Sequence, residues 1–128
     1  MTSLNSIVRA ILFDSRKPTK ITIFYDNVKT IMKAIGDCCS FSWFEPYGND
    51  FQDLVGREII RTDYLGQVKD LEPSGHDDYD KNHLYEFILD NDDTFKFLMR
   101  NSSNGYYDGY MDYSSIPMTE REIEKYAL

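Results

Sequence analysis

Apolar residues in the first part of the chain follow a helical pattern and then a strand pattern. Residues 1–17 contain one stripe of apolar side chains three and four positions apart, the spacing of an amphipathic helix: Leu4, Ile7, Val8, Ile11 and Leu12. Pro18 ends this pattern, and KITIFY alternates as a strand does. The next run, VKTIMKAI, fits a strand or a helix, and we favour a strand. These patterns predict an N-terminal helix followed by two strands.

The middle of the chain predicts two further strands and a long polar loop. The segment CCSFSWFE alternates again, DFQDLVG is typical of a short helix that ends at Gly56, and REIIRTDYL is typical of a strand. Residues 66–82 are polar and acidic, and they contain Pro73 and Gly75, which interrupt regular structure. We therefore expect an acidic loop over residues 66–82.

The C-terminal half contains three alternating runs, HLYEFIL, TFKFLMR and YYDGYMDY, which predict an antiparallel meander. A three-residue loop with Gly105 in the left-handed conformation sets Arg100 opposite Asp108 and Lys96 opposite Asp112. In that register Gly109 lies opposite Met99, where it leaves room for a packed neighbour. The apolar side chains then share one face: Tyr85, Phe87, Leu89, Phe95, Phe97, Met99, Met111 and Tyr113.

A second helix is predicted over residues 117–128. Thr119 is followed three residues later by Glu122, the signature of a capping box. Ile116, Ile123 and Tyr126 are the apolar residues available to hold this helix to the domain.

Together these elements predict a single α+β domain spanning residues 1–128. Residues 20–113 form an antiparallel sheet of about five or six strands, with the N-terminal amphipathic helix on one face and short flanking helices. An aromatic share of 15% indicates an aromatic, β-rich core.

Charge narrows the class of partner. The net charge is -8, and the first 33 residues carry six basic and two acidic side chains, so the remainder holds about -12. Such an acidic surface disfavours nucleic acid, whose binding rests on Lys and Arg, and a basic protein partner is the alternative to a merely solvated acidic surface. No apolar run is long enough to cross a bilayer. We expect a cytoplasmic protein without membrane contact; the oligomeric state stays open.

The two cysteines are adjacent, and strand geometry separates them. Successive side chains of a strand point to opposite faces, so Cys39 joins Phe41 and Trp43 on one face. The opposite, polar face carries Cys38, Ser40 and Ser42. Two thiols do not provide the four ligands of a structural zinc site. A nucleophilic Cys38 would need a nearby base.

The histidines lie in or beside the acidic loop. The stretch HDDYDKNH contains both of them, His76 and His83, together with three aspartates. Such groups can bind a divalent metal, but the stretch lacks the glycine and glutamate of a calcium loop. A solvated turn is therefore preferred, and we expect no metal and no cofactor.

Three segments resemble an uncharacterised domain family that occurs mainly in phage and large-virus proteins. The segments are DCCSFSWFE at 37–45, LVGREI at 54–59 and SNGYYDGYMDY at 103–113, and the resemblance covers roughly residues 20–113. The chain lacks a histidine before the Asp-Cys-Cys segment that some members have. The resemblance implies a viral or phage accessory protein, which would then lie in the host cell cytoplasm, and it carries no known activity.

The leading functional hypothesis is a non-enzymatic interaction module that acts on a protein partner. It rests on the absence of a catalytic motif and on tyrosines that alternate with aspartates in the last strand. The alternative is a small-ligand or metal-dependent enzyme that uses the polar face from Asp37 to Ser42 and the His76–His83 loop. The candidate binding residues are Asp37, Cys38, Ser40, Ser42, Tyr106, Asp108, Tyr110 and Asp112.

Overall fold

The chain folds as two four-stranded antiparallel sheets in a computed structural model. The structure describes residues 7–36, 40–69, 79–103 and 108–127, with only the backbone described at 79 and 80. The strands are β1 (Ala10–Phe13), β2 (Lys20–Phe24), β3 (Val28–Gly36), β4 (Phe41–Pro46), β5 (Ile59–Gln67), β6 (Tyr79–Leu89), β7 (Thr94–Ser103) and β8 (Gly109–Pro117). The first sheet has the order β1-β2-β3-β8, and the second has the order β4-β7-β6-β5.

The predicted N-terminal amphipathic helix is wrong, and with it the α+β class. Residues 10–13 form strand β1, which pairs with β2 so that Ala10 lies opposite Phe24. Val8 and Ile11 are buried, as the apolar stripe requires, but they are buried from an extended backbone. The stripe is too short to distinguish the two periods, and β-branched residues such as these pack well in a sheet. The protein is therefore mostly β.

Two strand predictions are confirmed in detail. The ambiguous run VKTIMKAI is strand β3. Strands β6 and β7 pair in the predicted parity, with Tyr85 opposite Phe97 and Phe87 opposite Phe95. Apolar alternation was sufficient here because a slip of one residue would have turned a row of aromatic side chains toward solvent.

The predicted β7–β8 hairpin is wrong. Strand β8 leaves the second sheet and pairs with β3, so that Asp112 lies opposite Lys33 and Gly109 lies opposite Gly36. The pairings of Arg100 with Asp108 and of Lys96 with Asp112 are therefore absent from this ladder. The inner faces of both sheets contribute to one core, so the alternation of β8 is satisfied equally well in either sheet. Gly105, with its predicted positive φ, lies outside the described residues.

The core between the sheets is aromatic, as predicted. Phe97 is fully buried, and its ring centroid lies 4.9 Å from that of Phe87 and 5.4 Å from that of Tyr85. The first sheet contributes Ile21, Ile23 and Met32 to the same cluster. The Phe44 N–H donates to the Pro18 carbonyl over 2.8 Å, which joins β4 to the turn before β2.

The acidic loop is shorter than predicted, because β5 continues to Gln67 and β6 begins at Tyr79. The predicted short helix is a single 3-10 turn, Phe51–Leu54, capped by the Asp50 side chain, which accepts from the Gln52 N–H.

The capping box that begins the second helix is confirmed. Thr119 and Glu122 exchange hydrogen bonds at the start of the short helix α1 (Glu120–Glu122), which continues as a wider turn through Ile123–Ala127. The Tyr126 ring stacks on Phe24 with 4.1 Å between centroids. Ile116, one of the predicted anchors, lies at the surface.

Candidate functional site

A chain of three polar side chains links the two sheets. His83 is only 8% exposed and lies on the inner face of β6, two positions from Tyr85. Its Nε2 is 2.9 Å from Asp108 Oδ1, and its Nδ1 is 2.8 Å from the Tyr64 hydroxyl. In the neutral imidazole that donates from Nε2 to the Asp108 carboxylate, Nδ1 accepts from the Tyr64 O–H of β5.

Asp108 is held as a carboxylate just before β8 begins. Partial burial by itself would raise the pKa of this group, but the His83 hydrogen bond, the Gly109 N–H at 2.7 Å and the Lys81 ammonium outweigh it. The pKa of Asp108 therefore lies below its ordinary value of 3.8. The site contains a fixed negative charge at neutral pH.

A second polar cluster lies beside this chain on the inner face. The Asn101 side-chain amide donates to Ser42 Oγ at 2.8 Å and to Ser40 Oγ at 3.0 Å. Ser40 Oγ in turn donates to the Asp108 carbonyl at 3.1 Å. Gly109 packs against this cluster: an added Cβ would lie 2.7 Å from the Ile35 carbonyl oxygen and would clash with Ser42 Oγ. The close packing predicted at Gly109 is real, although the neighbour is not Met99.

A groove of about 430 Å³ opens between β5 and β8. Four tyrosine side chains contribute to its wall: Tyr25, Tyr64, Tyr85 and Tyr113, together with Ile59, Ile60, Arg61, Thr62 and Met111. Burial, and then the neighbouring Tyr113, raise the pKa of Tyr25 to about 12. Burial also raises the pKa of Tyr85, with smaller contributions from Tyr64 and Asp108. These two phenols are therefore neutral at physiological pH.

Strand β8 has one unpaired edge. It ends the first sheet and, within the described residues, pairs only with β3. Its nine residues are largely exposed, including Tyr110 at 55% and Tyr113 at 44%. Tyr110 lies opposite Ile35 and points away from the core, whereas Tyr113 lines the groove. Tyr113 therefore shares a face of β8 with Met111, as the predicted apolar face requires, but it is too exposed to be a core residue.

The structure brings together some of the predicted site residues. Ser40, Ser42 and Asp108 meet through Asn101 and their own hydrogen bonds, but Ser42 is buried rather than accessible. Tyr110 and Asp112 lie apart from these residues, on the outer face of β8. The other predicted residues, Asp37, Cys38 and Tyr106, and the loop histidine His76 lie outside the described residues.

Two residues of the site, Tyr64 and Asn101, have no role in the sequence analysis. His83 belongs to the alternative predicted site, but as part of a loop rather than as a buried residue on the inner face of β6. Parity contained a signal, because His83 shares its strand face with Tyr85 and Phe87, and Asn101 shares one with Met99. A polar side chain on an otherwise apolar inner face calls for a partner.

Metal-binding clusters and membrane-spanning helices are both absent from the described parts of the chain. No group of three or more His, Cys, Asp or Glu side chains there is arranged to hold a metal ion. No helix in the same residues is long and apolar enough to cross a membrane.

The geometry defines a class of protein, an antiparallel two-sheet β domain with an aromatic groove beside an edge strand. The chain belongs to the family described as Domain of unknown function (DUF7448), whose model matches residues 5–112. It is also 38% identical over 92 residues to an uncharacterised protein of Acanthamoeba polyphaga mimivirus. The aligned segment covers 70% of this chain and 72% of that protein. No solved structure matches the chain. The predicted membership in an uncharacterised large-virus family is confirmed, and the three motifs stay a prediction.

Proposed function

We propose that this domain is a non-enzymatic interaction module that binds an extended, basic segment of a protein partner along the free edge of β8. The observation that carries the proposal is the edge itself. Nine consecutive residue pairs join β3 to β8 without a register shift, so no bulge in this ladder interrupts the strand that would pair on the other side. Such β-strand addition supplies backbone hydrogen bonds to a peptide of almost any sequence.

The other strands at sheet edges differ from β8. β5 contains two register shifts, between Ile59 and Arg61 and between Tyr64 and Gly66. β1 is four residues long, and β4 bonds to the Pro18 carbonyl. Short strands, bulges and covering segments are the usual protection against unwanted pairing. β8 has no such bulge, and Asp112 is its single charged residue.

Charge favours a basic partner segment. The chain has a net charge of -8, and the carboxylates of Asp108 and Asp112 lie near the two ends of the exposed tyrosine stretch. Complementary charge increases the association rate and makes binding sensitive to salt. A viral accessory protein that acts on a host or viral protein would fit this surface.

The test is selection of extended peptides from a display library against the purified domain, followed by affinity measurements on edge variants. In an antiparallel strand, adjacent amides point alternately to the paired and to the free side. One of Ser114→Pro and Ser115→Pro therefore removes a free-edge amide, and the other disrupts the bond to β3. We expect the free-edge variant to keep its melting temperature and to lose peptide binding.

Charge variants keep the test decisive if both proline variants unfold. Asp112→Asn should lower the affinity for the selected peptides severalfold at low salt. Asp53→Asn is the control, because Asp53 is an exposed carboxylate in the 3-10 turn and its substitution makes the same change in net charge. Exposed charges are screened over about 8 Å at physiological ionic strength. Peptide binding that is unaffected by salt, by Asp112→Asn and by the free-edge proline would refute the proposal.

A further inference from the structure

The tyrosine groove has an unusual wall. Its four tyrosines come from separate segments: Tyr25 follows β2, and Tyr64, Tyr85 and Tyr113 lie on β5, β6 and β8. The Tyr64 and Tyr85 ring centroids are 5.0 Å apart and their planes are inclined by 47°. An aromatic ring has a negative face, so several inclined rings around one space attract a cation.

The groove has a closed floor and an open mouth. Tyr25 is buried and Tyr85 is partly buried, whereas Tyr64 is 53% exposed and Tyr113 is 44% exposed. A side chain can therefore enter from solvent between β5 and β8 and reach the inner rings. The volume of the groove, about 430 Å³, falls in the range of small-ligand pockets, and the groove can contain a long side chain.

The charges around the groove favour a positive occupant. Asp108 is close enough to Tyr85 for its carboxylate to be among the smaller causes that raise the pKa of that phenol, and the Lys81 ammonium lies 3.9 Å from Asp108 Oδ2. Arg61, a cation in the wall, is neutralised by Asp63, whose carboxylate oxygens lie 3.1 and 3.2 Å from Arg61 Nε. The His83 imidazole is already bonded to Asp108 and Tyr64.

We propose that this groove is an aromatic cage for a cationic side chain, lysine or arginine, of the segment that pairs with β8. A strand added at the free edge of β8 lies at the mouth of the groove, and its inward side chains point toward Tyr113 and Tyr64. The inference rests on the proposed function, and it explains how a module with a sequence-tolerant edge would select a basic segment. Backbone pairing provides attachment, and the cage provides specificity.

The first test separates charge from shape. Choline and its neutral isostere 3,3-dimethylbutan-1-ol are titrated into the full chain, and the tyrosine ring signals are followed by NMR. Choline should shift the Tyr64, Tyr85 and Tyr113 rings with at least about tenfold higher affinity than the alcohol, because cation–π attraction acts only on the charged probe. Equal affinities, or no saturable shift of these rings, would overturn the cage.

Matched tyrosine variants localise the binding. Tyr113→Phe should keep choline binding because the ring is retained, and Tyr113→Leu should lose it. Tyr110→Leu is the control, since Tyr110 is an exposed tyrosine of the same strand that does not line the groove. Choline affinity that is unchanged in Tyr113→Leu, or lost in Tyr110→Leu, would overturn the assignment to this groove.

A peptide pair distinguishes failure of the cage from failure of the proposed function. A selected peptide is compared with the same peptide in which each lysine in turn is replaced by norleucine, which keeps the stem and removes the charge. At one position, replacing lysine by norleucine should lower the affinity for the wild-type domain about tenfold and leave the affinity for Tyr113→Leu unchanged. If no position does so while the free-edge proline still abolishes binding, the cage is wrong and the edge proposal stands. If choline binds but no peptide pairs with β8, the partner segment is refuted instead.

Discussion

Tyr25, the residue after β2, is 7% exposed, and the titration of its phenol is a probe of the packed interior. Its pKa is about 12 in the folded chain, against an ordinary value of 10.0. Between these two values the unfolded chain loses the phenol proton before the folded chain does. Rising pH therefore favours unfolding in this window. Well below pH 10 the phenol is protonated in both states, and this destabilisation does not occur.

We expect the free energy of unfolding of the wild-type chain to fall more between pH 8 and pH 11 than that of Tyr25→Phe. The difference should be about 1 kcal/mol, the effect of this shift at pH 11. Denaturant titrations at both pH values measure it. Tyr110→Phe controls for the loss of a tyrosine hydroxyl at the surface, and parallel pH profiles for the wild type and Tyr25→Phe would contradict the prediction.

Alternation along the chain predicted the shared face of Ser40 and Ser42 but not its burial. Ser40 and Ser42 share a face, as alternation predicted, and both meet Asn101. Their face is turned to the interior rather than to solvent, because Gly109 of β8 packs directly against Ser42. Local parity predicts which side chains lie together, but the exposure of a face depends on what packs against it.

At the scale of elements, the pairing of β8 can be tested through its one charge. Asp112 lies directly opposite Lys33 in the β3–β8 ladder. Directly opposed charges in a sheet interact by about 0.2–1 kcal/mol. A double-mutant cycle with Lys33→Gln and Asp112→Asn should give a coupling free energy in this range, measured by denaturant unfolding.

The same cycle with Lys96 is the control for the alternative register. Lys96 lies on β7 opposite Glu86, in the other sheet, so Lys96→Gln and Asp112→Asn should be additive. Coupling between Lys96 and Asp112, with none between Lys33 and Asp112, would contradict the β3–β8 pairing and support a β7–β8 hairpin.

The whole molecule depends on a core to which both sheets contribute. Phe97 of the second sheet is fully buried among Phe44, Phe51, Tyr85 and Phe87. Removing its ring leaves a cavity, so Phe97→Ala should lower the free energy of unfolding by about 3–5 kcal/mol. Phe13→Ala, at a partly exposed ring, should cost clearly less.

Because the core is common, both sheets should unfold together in wild type and in Phe97→Ala. The single tryptophan, Trp43, reports on the second sheet by fluorescence, and the methyl NMR signals of Ile21 and Ile23 report on the first. Coincident transitions are expected for one cooperative unit. Two separate midpoints would show that the sheets do not stabilise each other.

The sequence alone determined much of the local structure: seven of the eight strands in the described residues, the capping box and the face that Tyr85, Phe87, Phe95 and Phe97 of β6 and β7 present. These features depend on neighbours along the chain, such as side-chain alternation and turn chemistry. The acidic balance also follows from composition, and it leaves both a basic partner and a merely solvated acidic surface open.

Only the tertiary structure decided which sheet each strand joins. Backbone hydrogen bonds are nearly independent of sequence, and both sheets turn an apolar face to the same core, so β8 satisfies its pattern beside β3 or beside β7. The choice of β3 brings Asp108 to His83, opens the tyrosine groove between β5 and β8, and leaves the far edge of β8 unpaired among the described residues. The candidate site therefore consists of contacts between residues far apart in sequence, which no local pattern encodes.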